Sequence, residues 1–587
     1  MSKKDGRPEK HKTLLRLWAY LYRYKWLLAL AAVLTIAGNL LALAGPMLSG
    51  YAIDAIEPGA GRVVFQKVFF YCGLMAGFYI LSSVLSYFLS ALMIDLSRKI
   101  TFRMRKDVFE RLVDLPVGYF DRYQTGDIIS RITYDIDTVN ASLSSDVLQI
   151  CNSIITVAGS LVMMAAISPV MLLVFAVTVP ASVIFTRYMT GKIRPLFRKR
   201  SAKLGELNGF VEEIITGQKT VKAYNREETM IKRFNCRNRQ AAGAYYEAEY
   251  YGSMAGPSIN FINNLSLSFV SVLGAILYLL GQLTLGNVSS FVLYSRKFSG
   301  PINEAANIVS ELQSAIAAAE RIFKLIDEGA EEDGAPGAAV FGDVLGNVGI
   351  ENVSFGYIPG RMIIRNLNLD IKSGSLIAVV GPTGAGKTTL ISLLMRFYDP
   401  CSGRITLDGI NIREASRKSL RLSYAMVLQD AWLFHGTVFE NIAYGKDNAT
   451  MNEVIAAAKA ANIHSYITQL PKGYDTVLNE DGINISQGQK QLLTIARAML
   501  MDSKMLILDE ATSNVDTKTE LKIQSAMQAL MKQKTCFVIA HRLSTIQNAD
   551  IILVVKDGNI IEQGTHKALM ERKGLYAELY YSQFEVS

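Results

Sequence analysis

The stretch Gly381-Pro-Thr-Gly-Ala-Gly-Lys-Thr388 decides how the C-terminal part of this 587-residue chain folds. It follows the apolar run 376–380 and opens the helix-like run 389–397. Strand, glycine loop and helix in that order are the context a phosphate-binding loop needs. Gly381, Gly384 and Gly386 let backbone N–H groups close around a triphosphate, and the helix start adds the positive end of its dipole. Pro382, Thr383 and Ala385 fill the loop, and Thr389 carries the chain into the helix. Lys387 has the reach to meet β- and γ-phosphates, and the Thr388 hydroxyl is a ligand type for Mg²⁺. A glycine-rich turn with no ligand is the plainer reading, so other elements must decide.

Met505-Leu-Ile-Leu508 is a short apolar run ending in Asp509-Glu510, as expected of a buried parallel strand with two acids at its carboxyl end. Asp509 suits the Mg²⁺ shell, and Glu510, one residue on, can polarise an attacking water. Between the two elements, Asn484-Ile-Ser486-Gln487-Gly488-Gln489-Lys490 opens the helix-like run 491–501, with Ser486 and Gly488 where a helix start can hold an anion.

In this order the residues resemble the nucleotide-binding domain of ABC transporters, and the resemblance extends over essentially the whole chain. It implies ATP and Mg²⁺ as cofactors and a role for each matching residue. Tyr357, in Ser354-Phe-Gly-Tyr357, matches the aromatic that stacks on adenine, and Gln429 the Q-loop residue that senses Mg²⁺ and the γ-phosphate. Ser486, Gln487, Gly488 and Gln489 match the signature that contacts the partner subunit's ATP. Asp516 matches the D-loop aspartate, His541 the switch histidine, and Glu480 the acid before the signature. The metal set implied is Thr388, Gln429 and Asp509, and the catalytic pair Glu510 and His541.

Composition separates a membrane part from a soluble part. Half of the residues are hydrophobic and 19% are charged. Residues 1–339 hold 36 Lys and Arg against 28 Asp and Glu, and the remainder holds 25 against 24, so nearly all of the +9 excess is N-terminal. A basic chain can be a nucleic-acid binder, but here the charge follows membrane topology, and no nucleic-acid partner is expected. Apolar stretches at 26–53, 68–94, 147–167, 170–189 and 259–280 are each long enough to span a bilayer. A weaker sixth at about 288–309 is needed to return the ATPase to the side of the N-terminus. Arg98, Lys99, Arg103, Arg105 and Lys106 follow the second span, and seven Lys and Arg from Arg187 to Lys203 follow the fourth. The loops at Ser168-Pro169 and 281–287 carry no charge. The positive-inside rule then puts both termini in the cytoplasm, with no cleaved secretory leader in the polar, basic 1–10. Leu14, Leu15, Leu17, Trp18 and Leu21 with Lys12, Arg16 and Arg23 read either as an interfacial helix or as the start of the first span; resemblance to the exporters' elbow helix favours the former.

The expected fold is an α-helical six-span transmembrane domain with long cytoplasmic helix extensions, followed by an α/β P-loop ATPase domain with a helical subdomain. The expected bounds are 1–327, a linker at 328–348 too poor in large apolar residues to pack, and 349–587. Breaks at 117–123 and 218–226 resemble the exporters' two coupling helices. The five scattered cysteines and the absence of Cys-x-x-Cys indicate neither a disulfide framework nor a metal centre.

Membrane domain followed by ATPase on one chain resembles the exporter half-transporter. That implies ATP-driven export of amphipathic drugs, lipids or peptides across the cytoplasmic membrane by alternating access, together with a second half-transporter subunit and contact with membrane lipid. An importer on the exporter fold and a nucleotide-gated channel or receptor are the alternatives. Arg296 and Lys297 in the sixth span are expected in the translocation pathway, because charges at that depth face a protein interior or water. The family consensus has Gly after the signature Ser, whereas this chain has Gln487 beside otherwise complete ATPase motifs. That pattern resembles the subunit of bacterial heterodimeric multidrug exporters that keeps the catalytic glutamate but has an altered signature, so a heterodimer is expected over a homodimer.

Overall fold

The computed structural model describes residues 6–56, 63–382, 384–429, 431–478, 485–509, 516–539 and 546–584. The chain divides into two compact units, Met1–Val113 with Thr125–Glu328, and Asp114–Gln124 with Gly329–Ser587.

The first unit is helical. A short helix, Gly6–Tyr22, exposes Leu14, Leu15 and Trp18 while burying Thr13 and Leu17. Helices Lys25–Asp54, Phe65–Val113, Thr125–Ile167, Pro169–Thr216 and Glu227–Leu279 are each long and apolar enough to cross a membrane. Three of them, with 49, 48 and 53 residues, rise roughly 70–80 Å, more than twice the hydrocarbon thickness. A further long helix, Leu285–Ile326, is not among these five spans.

Its packing shows why it is polar. Pro46 lies inside helix Lys25–Asp54 and has no N–H, so the Ala42 carbonyl one turn earlier loses its helical donor. The Lys297 ammonium donates to that carbonyl at 2.9 Å. The Tyr294 hydroxyl donates to Leu43 O at 2.6 Å and the Ser290 hydroxyl to Pro46 O at 2.8 Å. The two helices cross closely, since a Cβ on Gly286 would lie 2.1 Å from the Gly50 carbonyl oxygen. Beyond the crossing, the Asp54 carboxylate accepts from Thr284 Oγ1 at 2.8 Å and from the Gly286 N–H at 2.7 Å. An apolar cluster including Leu43, Met164, Met171, Val270, Phe291 and Tyr294 forms the core of this region.

The second unit is built on a six-stranded sheet. Its spatial order is Asn559–Gly564, Ile551–Lys556, Leu376–Val380, Thr535–Ile539, Met505–Asp509 and Tyr424–Val427. All neighbours pair in parallel except the antiparallel edge Asn559–Gly564. Side chains alternate between two cores, as expected of a sheet covered on both faces. Ala378, Val380, Leu506, Leu508 and Val538 meet Leu492, Leu493 and Ile495 of helix Gln487–Met501 on one side. Ile377, Val379, Ile507 and Phe537 meet Val348, Ile350 and Val353 of a four-stranded antiparallel sheet on the other.

The segment expected to be an unpacked linker is anchored by charge. Glu331 accepts from Arg421 at 2.7 Å and from Arg417 at 3.1 Å. Asp333 accepts from the Ser416 hydroxyl at 2.8 Å and the Lys418 N–H at 2.7 Å. Scarcity of apolar residues was a poor guide here, because ion pairs and capping bonds hold this stretch of chain.

Candidate functional site

In a parallel sheet, loops at the carboxyl ends of the strands share one edge. Gly381 follows Leu376–Val380, Gln429 lies two residues past Tyr424–Val427, and Asp509 ends its own strand. The strand Thr535–Ile539, whose chain continues toward His541, lies between the phosphate-loop strand and the Asp509 strand. The fold thus gathers at one edge groups that are far apart in sequence.

The loop needs its glycines. A Cβ on Gly381 would lie 2.1 Å from the Val555 carbonyl oxygen. Gly384 (φ +81°) and Gly386 (φ +106°) occupy the left-handed region, which disfavours a side chain. Such reversals along a short loop build an anion-binding concavity, and helix Lys387–Leu394 starts directly behind it. Lys387 Nζ donates to Gly381 O at 2.7 Å and Pro382 O at 3.1 Å. Burial lowers its pKa, and the Asp509 carboxylate opposes that fall from within electrostatic range. Ala385 and Thr389 are buried, whereas Thr388 is exposed.

Tyr357 lies just past strand Val348–Phe355 and is 44% exposed. Gly356 fixes the turn before it, since a Cβ there would lie 2.1 Å from the Arg361 carbonyl oxygen. The Tyr357 hydroxyl donates to Thr389 Oγ1 at 3.3 Å, tying this ring to the helix behind the phosphate loop. Gln429 is exposed.

Ser486 is the N-cap of helix Gln487–Met501. Its hydroxyl accepts from the Gln489 N–H at 3.3 Å, and the Gln489 side chain accepts from the Ser486 N–H at 3.0 Å. This reciprocal capping box gives Gln489 a structural task of its own. Gln487 is exposed as the first helical residue, and Gly488 is buried. Gln487 has ordinary helical backbone, so what distinguishes it from a glycine at this position is side-chain bulk rather than restricted φ and ψ. Asp516 caps helix Thr517–Met531 by accepting from the Thr519 N–H at 2.9 Å, and that bond holds its carboxyl below the usual range. Thr383, Glu480, Glu510 and His541 lie outside the described residues.

Arg296 and Lys297 face different surroundings. Arg296 is exposed on a cleft of about 240 Å³ lined also by Phe175, Asn263, Ser266, Ser295 and Ser299. Lys297 is the donor to Ala42. Sequence reasoning missed Tyr398 altogether. No motif draws attention to Tyr398 in Arg396-Phe-Tyr-Asp399, yet its ring packs edge-on to Tyr357 with centroids 5.0 Å apart.

A glycine phosphate loop and a strand-end aspartate on one parallel sheet, in a chain with several membrane-length helices, define a membrane ATPase. Residues 28–302 match the ABC transporter transmembrane region, and residues 364–513 match the ABC transporter family model. The chain is 41% identical over 591 residues to the uncharacterized ABC transporter ATP-binding protein YfiC of Bacillus subtilis, covering 100% of this chain and 97% of that one. It is 43% identical over 524 residues to the fatty acid ABC transporter ATP-binding/permease protein of Mycobacterium bovis, covering 89% and 83%. A bacterial Atm1-family ABC exporter solved with ATP bound shares 30% identity and a TM-score of 0.78, over 95% of this chain and 98% of that one. The chain belongs to the ABC transporter family: it is a multi-pass membrane protein whose transmembrane region is fused to an ATP-binding, ATP-hydrolysing domain, in the manner of ABC exporters.

Proposed function

We propose that this chain is one half of a dimeric exporter that moves amphipathic drugs, lipids or peptides out across the cytoplasmic membrane by alternating access. The observation that carries the reading is the left-handed glycine loop, with Lys387 and Asp509 within electrostatic range, on a chain that also carries the transmembrane region. Residues 1–327 form the membrane domain with six spans, counting Leu285–Ile326, and both termini are cytoplasmic. Residues 328–348 are the connecting segment, and 349–587 the ATPase with its helical subdomain. The segments 117–123 and 218–226 are the coupling elements.

Tyr357 stacks on adenine, the loop from Gly381 to Thr388 encloses the phosphates, and Lys387 neutralises them. Thr388, Gln429 and Asp509 would hold Mg²⁺, which supplies charge neutralisation at the phosphates. The hydroxyl, amide and carboxylate oxygens of this set suit a hard cation. Glu510 orients and deprotonates the attacking water, and His541 contacts the γ-phosphate. Ser486 to Gln489 serve the site built on the partner's phosphate loop, and Asp516 is the D-loop aspartate. Nucleotide between two such surfaces favours the closed pair, and hydrolysis removes that shared ligand, so the assembly switches between two states.

Arg296, on a cleft with Asn and Ser side chains, offers a cation to an acidic head group, in keeping with the Mycobacterium bovis relative named for fatty acids. The test is ATPase activity of the purified complex in lipid against a panel of drugs, fatty acids, other lipids and peptides. Saturable stimulation by one amphiphile class, with matching ATP-dependent uptake into inverted vesicles, is the expected result. A continuous ATP-dependent ion current without stoichiometric uptake would replace the exporter by a channel.

A further inference from the structure

The Tyr357 ring does not stand alone. Its centroid lies 5.0 Å from that of Phe355 at 84° and 5.0 Å from that of Tyr398 at 85°. Phe355 and Tyr398 are themselves 5.5 Å apart at 53°, and Phe355 is buried in the core. With three rings in mutual contact, a ligand stacked on the open face of Tyr357 constrains Tyr398 as well.

Tyr398 in turn holds a segment remote in sequence. Its hydroxyl donates to the Asp121 carboxylate. Burial and this carboxylate both push the phenol well above its ordinary range, so it remains a donor at any physiological pH. Its ring lies against Gly118, where a Cβ would come within 2.8 Å of Cε1. Within that segment Tyr119 is buried and its ring lies 4.6 Å from that of Tyr123 at a tilt of 38°, and Arg122 Nε donates to Gly118 O at 2.9 Å, so the turn is tied together internally. Asp114–Gln124 belongs to the ATPase-bearing unit yet is covalently continuous with Val113 and Thr125, the ends of two membrane-length helices.

We propose that Tyr398 is a positioning residue that carries occupancy of the nucleobase site from Tyr357 to the segment Asp114–Gln124 through its bond to Asp121. The inference rests on the reading that Tyr357 stacks on adenine. It gives the base a signal of its own, separate from any signal sent by the phosphates. Tyr398→Phe keeps the ring triangle and removes the bond, Asp121→Ala removes the acceptor, and Asp121→Asn retains an acceptor oxygen.

The experiment is hydrogen exchange with mass spectrometry on the full-length transporter complex in lipid nanodiscs, read on peptides covering 114–124. Three ligand states are compared: none, magnesium with a non-hydrolysable ATP analogue, and magnesium tripolyphosphate, which has the phosphates and no base. The wild type is expected to gain protection with the analogue and not with tripolyphosphate. Tyr398→Phe and Asp121→Ala are expected to lose that gain while binding the analogue as the wild type does, and Asp121→Asn to keep most of it. Undiminished protection in Tyr398→Phe, or equal protection from tripolyphosphate, overturns the relay. Analogue affinity is measured separately in Tyr357→Leu. Unchanged affinity there removes the stacking reading itself, whereas weakened affinity combined with intact protection in Tyr398→Phe removes the relay alone.

Discussion

Lys297 donates to the carbonyl that Pro46 leaves without a helical partner, while Arg296, one residue earlier, is exposed on a cleft lined by both polar and apolar side chains. Adjacent helical residues are about 100° apart around the axis, so two neighbouring charges can have unrelated surroundings. The sequence placed both at membrane depth and gave no means of separating them, because the orphaned carbonyl lies on a different helix. Lys297→Met should strand the Ala42 carbonyl and lower stability by about 1–3 kcal/mol, read as a lower unfolding temperature of the full chain in detergent. Arg296→Met should leave that temperature in place and weaken ATPase stimulation by acidic amphiphiles more than by neutral ones. If the two variants behave alike in both assays, the division between them is wrong. At the other end of the chain, Glu510→Gln should preserve ATP binding and slow hydrolysis by ~10²-fold or more. Near-normal turnover in that variant would take the role of base away from Glu510.

At the scale of elements, the glycine loop, the Asp509 strand and helix Gln487–Met501 were legible because each is a local pattern whose residues lie within a turn or two of one another. Even there the capping box adds something, since Gln489, which the family resemblance assigns to the signature, closes the helix start. Helix Leu285–Ile326 was weakly legible for a physical reason. Ser290, Tyr294 and Lys297 lower its apolarity, and their polar atoms are satisfied by carbonyls of helix Lys25–Asp54, which no hydropathy window can register. The Glu331 anchor was invisible for a similar reason, because its partners Arg417 and Arg421 lie about ninety residues on. Burial alone would raise the Glu331 carboxyl, but the two guanidinium groups outweigh it and hold it below the usual range. With the native value below the unfolded one, its contribution is full above the ordinary glutamate range and is lost as the pH falls through the lowered native value. Glu331→Gln should therefore loosen helix Arg417–Leu422 by about 2 kcal/mol near neutral pH. Hydrogen exchange of that helix in the full-length protein should show the gap between variant and wild type closing as the pH is lowered. A gap that persists unchanged in acid would mean the ion pairs are not what anchors the chain.

For the whole molecule, the open question is what stands opposite Gln487. It is an exposed side chain at the first position of helix Gln487–Met501, directly after the capping serine, where the family consensus has no side chain. Its backbone is regular, so nothing in this chain alone is strained, and any consequence falls on the surface that approaches it. In a homodimer both composite ATP sites would meet this glutamine, whereas in a heterodimer one site would, and the other would pair this chain's Lys387, Asp509 and Glu510 with a consensus signature from the partner. We therefore predict that the chain expressed alone and reconstituted in lipid hydrolyses ATP poorly, and that Gln487→Gly restores cooperative turnover to the lone homodimer. The same substitution in the heterodimer should change the rate little, because the productive site there is completed by the other subunit's signature. Gly488 is buried and Ser486 with Gln489 closes the helix cap, so the substitution leaves the helix start intact and a rate change reports on the composite site. Brisk cooperative hydrolysis by the lone chain, with no gain from Gln487→Gly, would instead make this a homodimeric exporter that tolerates its glutamine.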